Sequence, residues 1–151
     1  METIATLGRE HQELLAQLGS LEARMDSGDP GADLAGFLSY LQRDVVLHLS
    51  VEERALFPIL ARHLNQEQGP LAVMNAEHAA LRTLLDGLDT GVRSGDRERQ
   101  RACAHDIIEL LRAHIVKEDE VLFPIATHML NSREWDEVNV RAAAVRLGST
   151  S

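Results

Sequence analysis

Residues 70–92 read PLAVMNAEHAALRTLLDGLDTGV. Core-type side chains fall at Leu71, Met74, Leu81, Leu85, Leu88 and Val92, and His78 fills the one remaining slot. The steps alternate between three and four, which is the seam of a helix packed at a shallow angle against neighbours. Pro70 suits the first helical position, where a missing N–H costs nothing. Three other segments carry the same spacing. They are Leu7, His11, Leu14, Leu18, Leu21, Met25; Leu34, Leu38, Leu41, Val45, His48, Glu52, Ala55, Ile59; and Ala104, Ile107, Leu111, His114, Glu118, Val121, Ile125.

Turn-forming residues separate these segments. DSGDPG at 26–31 is the first break, with Asp29 as cap and Pro30 opening the next helix. NQEQGP at 65–70 is the second, and RSGD at 93–96 the third, with Gly95 as stop and Asp96 as cap. Asn131-Ser132 is the last, with Ser132 expected to cap a tail helix. Helices are predicted over 4–27, 30–64, 70–93 and 96–130. The fold class is therefore all-α: an up-down-up-down four-helix bundle over 4–130 with a short C-terminal helix over about 132–146, in one domain spanning 1–151.

Composition agrees. Of 151 residues, 23 are Leu and 18 are Ala, while Val and Ile together total 16 and aromatics are 3%. That balance excludes a β-sandwich or barrel. The net charge of −9 argues against nucleic acid and against an anionic membrane surface as partners. Cys103 is the lone cysteine, so neither an intrachain disulfide nor a thiolate zinc cluster is available. The sequence METIATLGREHQELL has the pattern of neither a signal peptide nor an anchor, and the expected location is a reducing cytoplasm.

The chain repeats itself. HLSVEERALFP at 48–58 matches HIVKEDEVLFP at 114–124 at a shift of 66, and Glu10-His11 matches Glu77-His78 at a shift of 67. Two copies of one helical hairpin, related by an approximate twofold axis, account for this.

Histidine interrupts all four seams, and in two of them glutamate follows four residues later, on the same helix face. At 1.5 Å per residue, His11 lies about 24 Å from the end of its helix and His48 about 27 Å into the next, with about 22 and 27 Å in the second hairpin. Antiparallel neighbours therefore bring His11, His48, Glu52, His78, His114 and Glu118 to one level. Carboxylates on core positions need a partner. Four imidazoles and two carboxylates suit two metal ions, with both carboxylates bridging, two imidazoles on each ion and an oxo or hydroxo bridge between them. Mixed N/O ligation without thiolate fits non-haem iron, with manganese or zinc as alternatives.

The pattern His…His-x3-Glu…His…His-x3-Glu, with LFP after each Glu, resembles the hemerythrin-like HHE cation-binding domain over about residues 4–130, and SREWDEVNVRAAAV is similar to its closing helix. Position by position, the resemblance implies His11, His48, Glu52, His78, His114 and Glu118 as diiron ligands. Oxygen-carrying hemerythrins have a fifth histidine where this chain has Met74, and a longer final spacing that would select Asp119. The internal repeat selects Glu118, so the chain resembles the four-histidine bacterial branch.

The resemblance implies oxygen binding or oxidative and nitrosative stress roles. The functional expectation is a diiron protein that binds and reacts with a small oxidant, namely peroxide, nitric oxide or dioxygen. The alternatives are a non-catalytic oxygen or redox sensor, an iron-binding module, and a zinc-stapled bundle. The oligomeric expectation is a monomer or a weak homo-oligomer.

His63, His105 and His128 fall away from the common level and are read as non-ligands. Glu53 and Asp119 lie one step off the seam, as solvated or imidazole-orienting groups. Asp44 and Asn75, within a turn of His48 and His78, are given surface roles. Pro58 and Pro124 are expected to kink their helices, and Phe57, Phe123 and Trp135 to pack as core around the site and at the bundle's end.

Overall fold

The computed structural model describes residues 2–28 and 34–148. Five helical stretches follow one another: α1 Glu2–Asp26, α2 over 34–60, α3 Pro70–Ser94, α4 over 97–129 and α5 Ser132–Gly148. No strand occurs among the described residues. The expected cap at Asp29 and helix start at Pro30 lie outside the described residues. The second helix ends at Leu60 rather than 64, in a turn where His63 and Leu64 donate to the Leu60 carbonyl.

The helix ends follow their local chemistry. Gly95 takes φ 69°, the left-handed conformation that closes α3, and Asp96 caps α4 by accepting the Arg99 N–H at 3.1 Å. At the tail the cap is Asn131, not Ser132. Asn131 Oδ1 accepts from the Glu134 N–H at 2.9 Å, and Glu134 Oε1 accepts from the Asn131 N–H at 3.2 Å. This reciprocal capping box depends on Glu134 standing three residues on, and it moves the helix start one residue earlier than a lone serine would.

Cross-helix pairs give the register. Glu77 of α3 meets His114 of α4, and Gly91 meets Gln100, so the two helices run antiparallel. Glu22 with Arg112 and His11 with Asp119 set α4 antiparallel to α1 in the same way. The tail helix lies alongside the start of α1, with Thr3 bonded to Asn139 and Glu10 to Arg146.

The apolar core is in two parts. One contains Leu7, Val51, Ile59, Leu71, Met74, Leu122 and, from α5, Trp135 and Val138. The other contains Leu14, Leu18, Leu41, Leu81, Leu88, Ile107 and Leu111. On α1 the boundary falls at His11, between Leu7 and Leu14; on α3 it falls at His78, between Met74 and Leu81. A polar layer thus divides the core at the level of the seam histidines.

The long helices α2 and α4 each contain a π-helical turn that begins at a seam glutamate, Glu52–Leu56 and Glu118–Leu122. There the Phe57 N–H reaches the Glu52 carbonyl and the Phe123 N–H the Glu118 carbonyl, five residues back. Pro58 and Pro124 have no N–H to offer, and their rings would crowd a tight ladder. The expected disturbance at the prolines takes the form of this widened turn. Val121, expected on the seam, is 47% exposed, while Leu122 beside it is fully buried; the equivalent Ala55 of α2 is fully buried, on the turn against which α5 packs.

The tail cap gives the first prediction. Asn131→Ala lowers the stability of the chelator-treated protein by about 1 kcal/mol, read as a lower urea midpoint at unchanged slope. Ser132→Ala leaves the midpoint in place, and equal losses at both positions would show that the capping box has been misassigned.

Candidate metal centre

All six seam residues converge in the polar layer. His11, His48, Glu52, His78, His114 and Glu118 are buried, with both glutamates at 0% exposure. They form two overlapping groups whose donor atoms lie within 4.8 Å of one another, His11–His48–Glu52–Glu118 and Glu52–His78–His114–Glu118. The carboxylates are common to both groups and the imidazoles divide two and two.

Each imidazole turns its Nε2 inward. His11 Nε2 lies 3.0 Å and His114 Nε2 3.2 Å from Glu118 Oε1, while His48 Nε2 and His78 Nε2 each lie 3.4 Å from Glu52 Oε1. Both oxygens of Glu52, one of Glu118, and the Nε2 atoms of His78 and His114 are buried without a hydrogen-bond partner. Buried polar atoms are seldom left so. Five of them facing one another, all of ligand type, form a donor set that fits divalent metal ions.

The outward nitrogens are all engaged. His48 Nδ1–H donates to Glu10 at 3.0 Å, His78 Nδ1–H to Glu53 at 2.7 Å, His114 Nδ1–H to Glu77 at 2.8 Å and His11 Nδ1–H to Asp119 at 2.8 Å. An ionised carboxylate only accepts, so these contacts place a proton on Nδ1 and turn Nε2 inward, the nitrogen that a metal ion would take. The carboxylates form a closed ring: α1 supports the imidazole of α2, α2 that of α3, α3 that of α4, and α4 that of α1. Each stands next in sequence to a seam residue of its own helix. Glu53 and Asp119 thus take the orienting role. The sequence reading missed Glu10 and Glu77 in that role, although the repeat of Glu-His at a shift of 67 held the signal.

The remaining candidates stand apart. His63 bonds Glu134 at 2.8 Å, His105 lies 3.4 Å from Glu109 on its own exposed helix face, and His128 is exposed. Asp44 pairs with Arg43 and Asn75 is exposed. Phe123 stacks on His11 and Phe57 on His78, each with centroids 5.5 Å apart, so the expected aromatic packing borders the layer. Met74, one turn before His78, is 2% exposed.

The electrostatics follow from burial. Burial, and then the charge of Glu118, push the Glu52 carboxyl well above its ordinary value. Burial also acts to raise Glu118, but its contacts with Glu52, His11, His114 and His48 outweigh that and hold it well below. For Glu10 and Glu53 burial is likewise outweighed. Bonds to His48 and Arg146, and to His78 and Arg82, hold both at about 2. Burial lowers His78, while the carboxylates around His48 and His114 overcome burial and raise those two.

A carboxyl raised in the folded state supports folding below its unfolded value and withdraws that support as pH rises through the folded value. Glu52 therefore costs the metal-stripped protein stability at pH 7. Glu52→Gln raises the melting temperature of the chelated protein at pH 7, and the gain vanishes below about pH 4. An unchanged or lower melting temperature at pH 7 would contradict this reading of Glu52.

The chain is 31% identical over 126 residues to the iron-sulfur cluster repair protein YtfE of Cronobacter sakazakii, covering 76% of this chain and 56% of that protein. Proteins of the same name in an Enterobacter species and in Citrobacter koseri are 30% identical over 129 residues and 29% over 126, with the same 76% and 56% coverage. The chain spans about half the length of these curated relatives. No solved structure matches it. No helix among the described residues is long and apolar enough to cross a membrane. A profile of the hemerythrin HHE cation-binding domain matches residues 2–126, and the buried histidine and glutamate layer falls inside that span: the chain belongs to the hemerythrin HHE cation-binding domain family.

Proposed function

We propose that the polar layer holds two non-haem iron ions and that the centre binds and reacts with a small oxidant, namely peroxide, nitric oxide or dioxygen. In this reading Glu52 and Glu118 bridge, His11 and His48 hold one ion, and His78 and His114 hold the other. The observation that carries it is the set of buried, unpartnered donor atoms in two groups sharing both carboxylates. Mixed nitrogen and oxygen donors without thiolate favour iron over a thiolate-seeking metal.

When bound, an iron pair supplies Lewis acidity and redox electrons to a small ligand. The protein's part is positional. Glu10, Glu53, Glu77 and Asp119 fix the imidazoles by their Nδ1–H groups. The two apolar clusters shield the layer from water on either side, and Phe57 and Phe123 stack against its rim. At Met74, where oxygen carriers have a fifth histidine, a buried thioether stands one turn before His78, so no imidazole donor would come from that position.

A second reading is an iron-handling module. The relatives' name, iron-sulfur cluster repair protein, supports it, because repair of such clusters requires iron.

Metal analysis with an optical spectrum after anaerobic iron loading tests the core of both. Two irons per chain with oxo-to-iron charge-transfer bands are expected, and one zinc with a featureless spectrum would end both. Glu52→Ala and Glu118→Ala each lose at least one ion, whereas Glu53→Gln retains two at saturating iron. Loss at Glu53 with retention at Glu52 would shift the ligand register by one.

Met74→His separates reaction from storage. A histidine there would add a donor beside His78, so peroxide or nitric oxide turnover falls while two irons remain bound. Full turnover in a folded, iron-loaded variant would place the reaction elsewhere.

A further inference from the structure

The carboxylate ring obeys the twofold repeat, but the cations behind it do not. In the second hairpin both are local. Arg82, one turn after His78, forks onto Glu53 at 2.6 and 2.8 Å. Lys117, the residue before Glu118, pairs with Glu77. At the same shifts of 67 and 66, the first hairpin has Leu15 and Val51, neither of which carries charge.

One of these gaps is filled from outside the repeat. Arg146 of α5 forks onto Glu10 at 2.9 and 3.1 Å. The other is not filled. Among the described residues, no lysine or arginine pairs with Asp119, and its ion-pair partner is His11 itself. Asp119 is also the most exposed of the ring carboxylates, at 36% of its side chain against 27%, 25% and 14% for Glu10, Glu53 and Glu77. It lies on a groove between α1 and α4 lined by Gly8, Gln12 and Phe123.

A carboxylate that accepts the Nδ1–H of an imidazole makes the opposite nitrogen a stronger donor. A cation on the same carboxylate draws that charge away. His48, His78 and His114 rest on carboxylates shared with a cation; His11 rests on one that is not. We propose that Asp119 is a positioning residue that makes the two ion positions unequal, with the His11 and His48 position the more electron-rich and the tighter. This rests on the two-ion reading above and adds to it an order between the ions. The inequality arises from Leu15 standing where the repeat calls for arginine.

The test is an anaerobic titration of the full chain with cobalt(II), read by absorption and calorimetry, with folding checked by circular dichroism. Asp119→Asn weakens the tighter of two steps by about 10- to 100-fold. Leu15→Arg, which changes no ligand and no ring hydrogen bond, weakens that same step by a smaller factor. Arg82→Met, which strips the cation from Glu53, tightens the other step. The opposite signs set a charge effect apart from disturbed packing, which weakens binding in every variant.

If Leu15→Arg does not fold, Asp119→Asn and Arg82→Met still carry the comparison. Two ions in the wild type with the same direction of change in all variants would overturn the inference and leave the two-ion reading intact. Fewer than two ions in the wild type would overturn both.

Discussion

Two carboxylates at zero exposure in the middle of a helical bundle are the constraint around which this molecule is arranged. Removing an ionised carboxylate from water costs several kcal/mol even after the protein relaxes around it. Burial, and then the charge of Glu118, push the Glu52 carboxyl up. Positive charge at the centre relieves both costs, and four imidazoles that turn Nε2 inward are placed to hold ions that would bring it. On the proposed reading, the layer is a frustrated element of the fold that would become favourable when loaded, as expected of a site selected for binding rather than for stability.

The rest of the structure makes that layer tolerable. Leucine seams on both sides provide two separate cores, so the bundle does not depend on the polar level for its cohesion. The ring of outer carboxylates sets the tautomer of every imidazole, and the ring closes because each helix supplies a carboxylate next in sequence to its own inward residue. The π turns at Glu52 and Glu118 let each helix carry a proline shortly after its glutamate without losing the core contacts of Leu56, Phe57, Leu122 and Phe123. Widened turns of this kind recur at functional sites, where a side chain must be held off the regular helical register.

Much of this was legible in the chain. The alternating seam spacing, the short turns at Gly69-Pro70 and Gly95-Asp96, and the two HLSVEERALFP-like copies specify the bundle and bring the six residues to one level. Local rules with a single governing contact, such as the Asp96 cap, were also readable. What escaped depends on contacts across helices or on backbone register. The orienting roles of Glu10 and Glu77 belong to the imidazole of the next helix, which no spacing within one helix reveals. Val121 has the spacing of core, as Ala55 does, but it is the turn of Ala55 that meets the tail helix, a contact that no spacing within one helix reveals. Ser132 has the residue type of a cap, but Glu134 stands three residues after Asn131, and their reciprocal bonds select Asn131.

The tail helix shows how such escapes matter. On the seam criterion α5 is an accessory that covers one end of the bundle with Trp135 and Val138. Its Arg146 nevertheless reaches the carboxylate behind His48, in a place where the repeat has only Val51 to offer. A duplicated hairpin would give two equivalent ion positions. Divergence at Leu15 and Val51 breaks that equivalence, and the tail repairs one break and leaves the other. On the proposed two-ion reading, the asymmetry of the centre therefore resides in the charges behind the imidazoles, while the inner six residues keep the symmetry of the repeat.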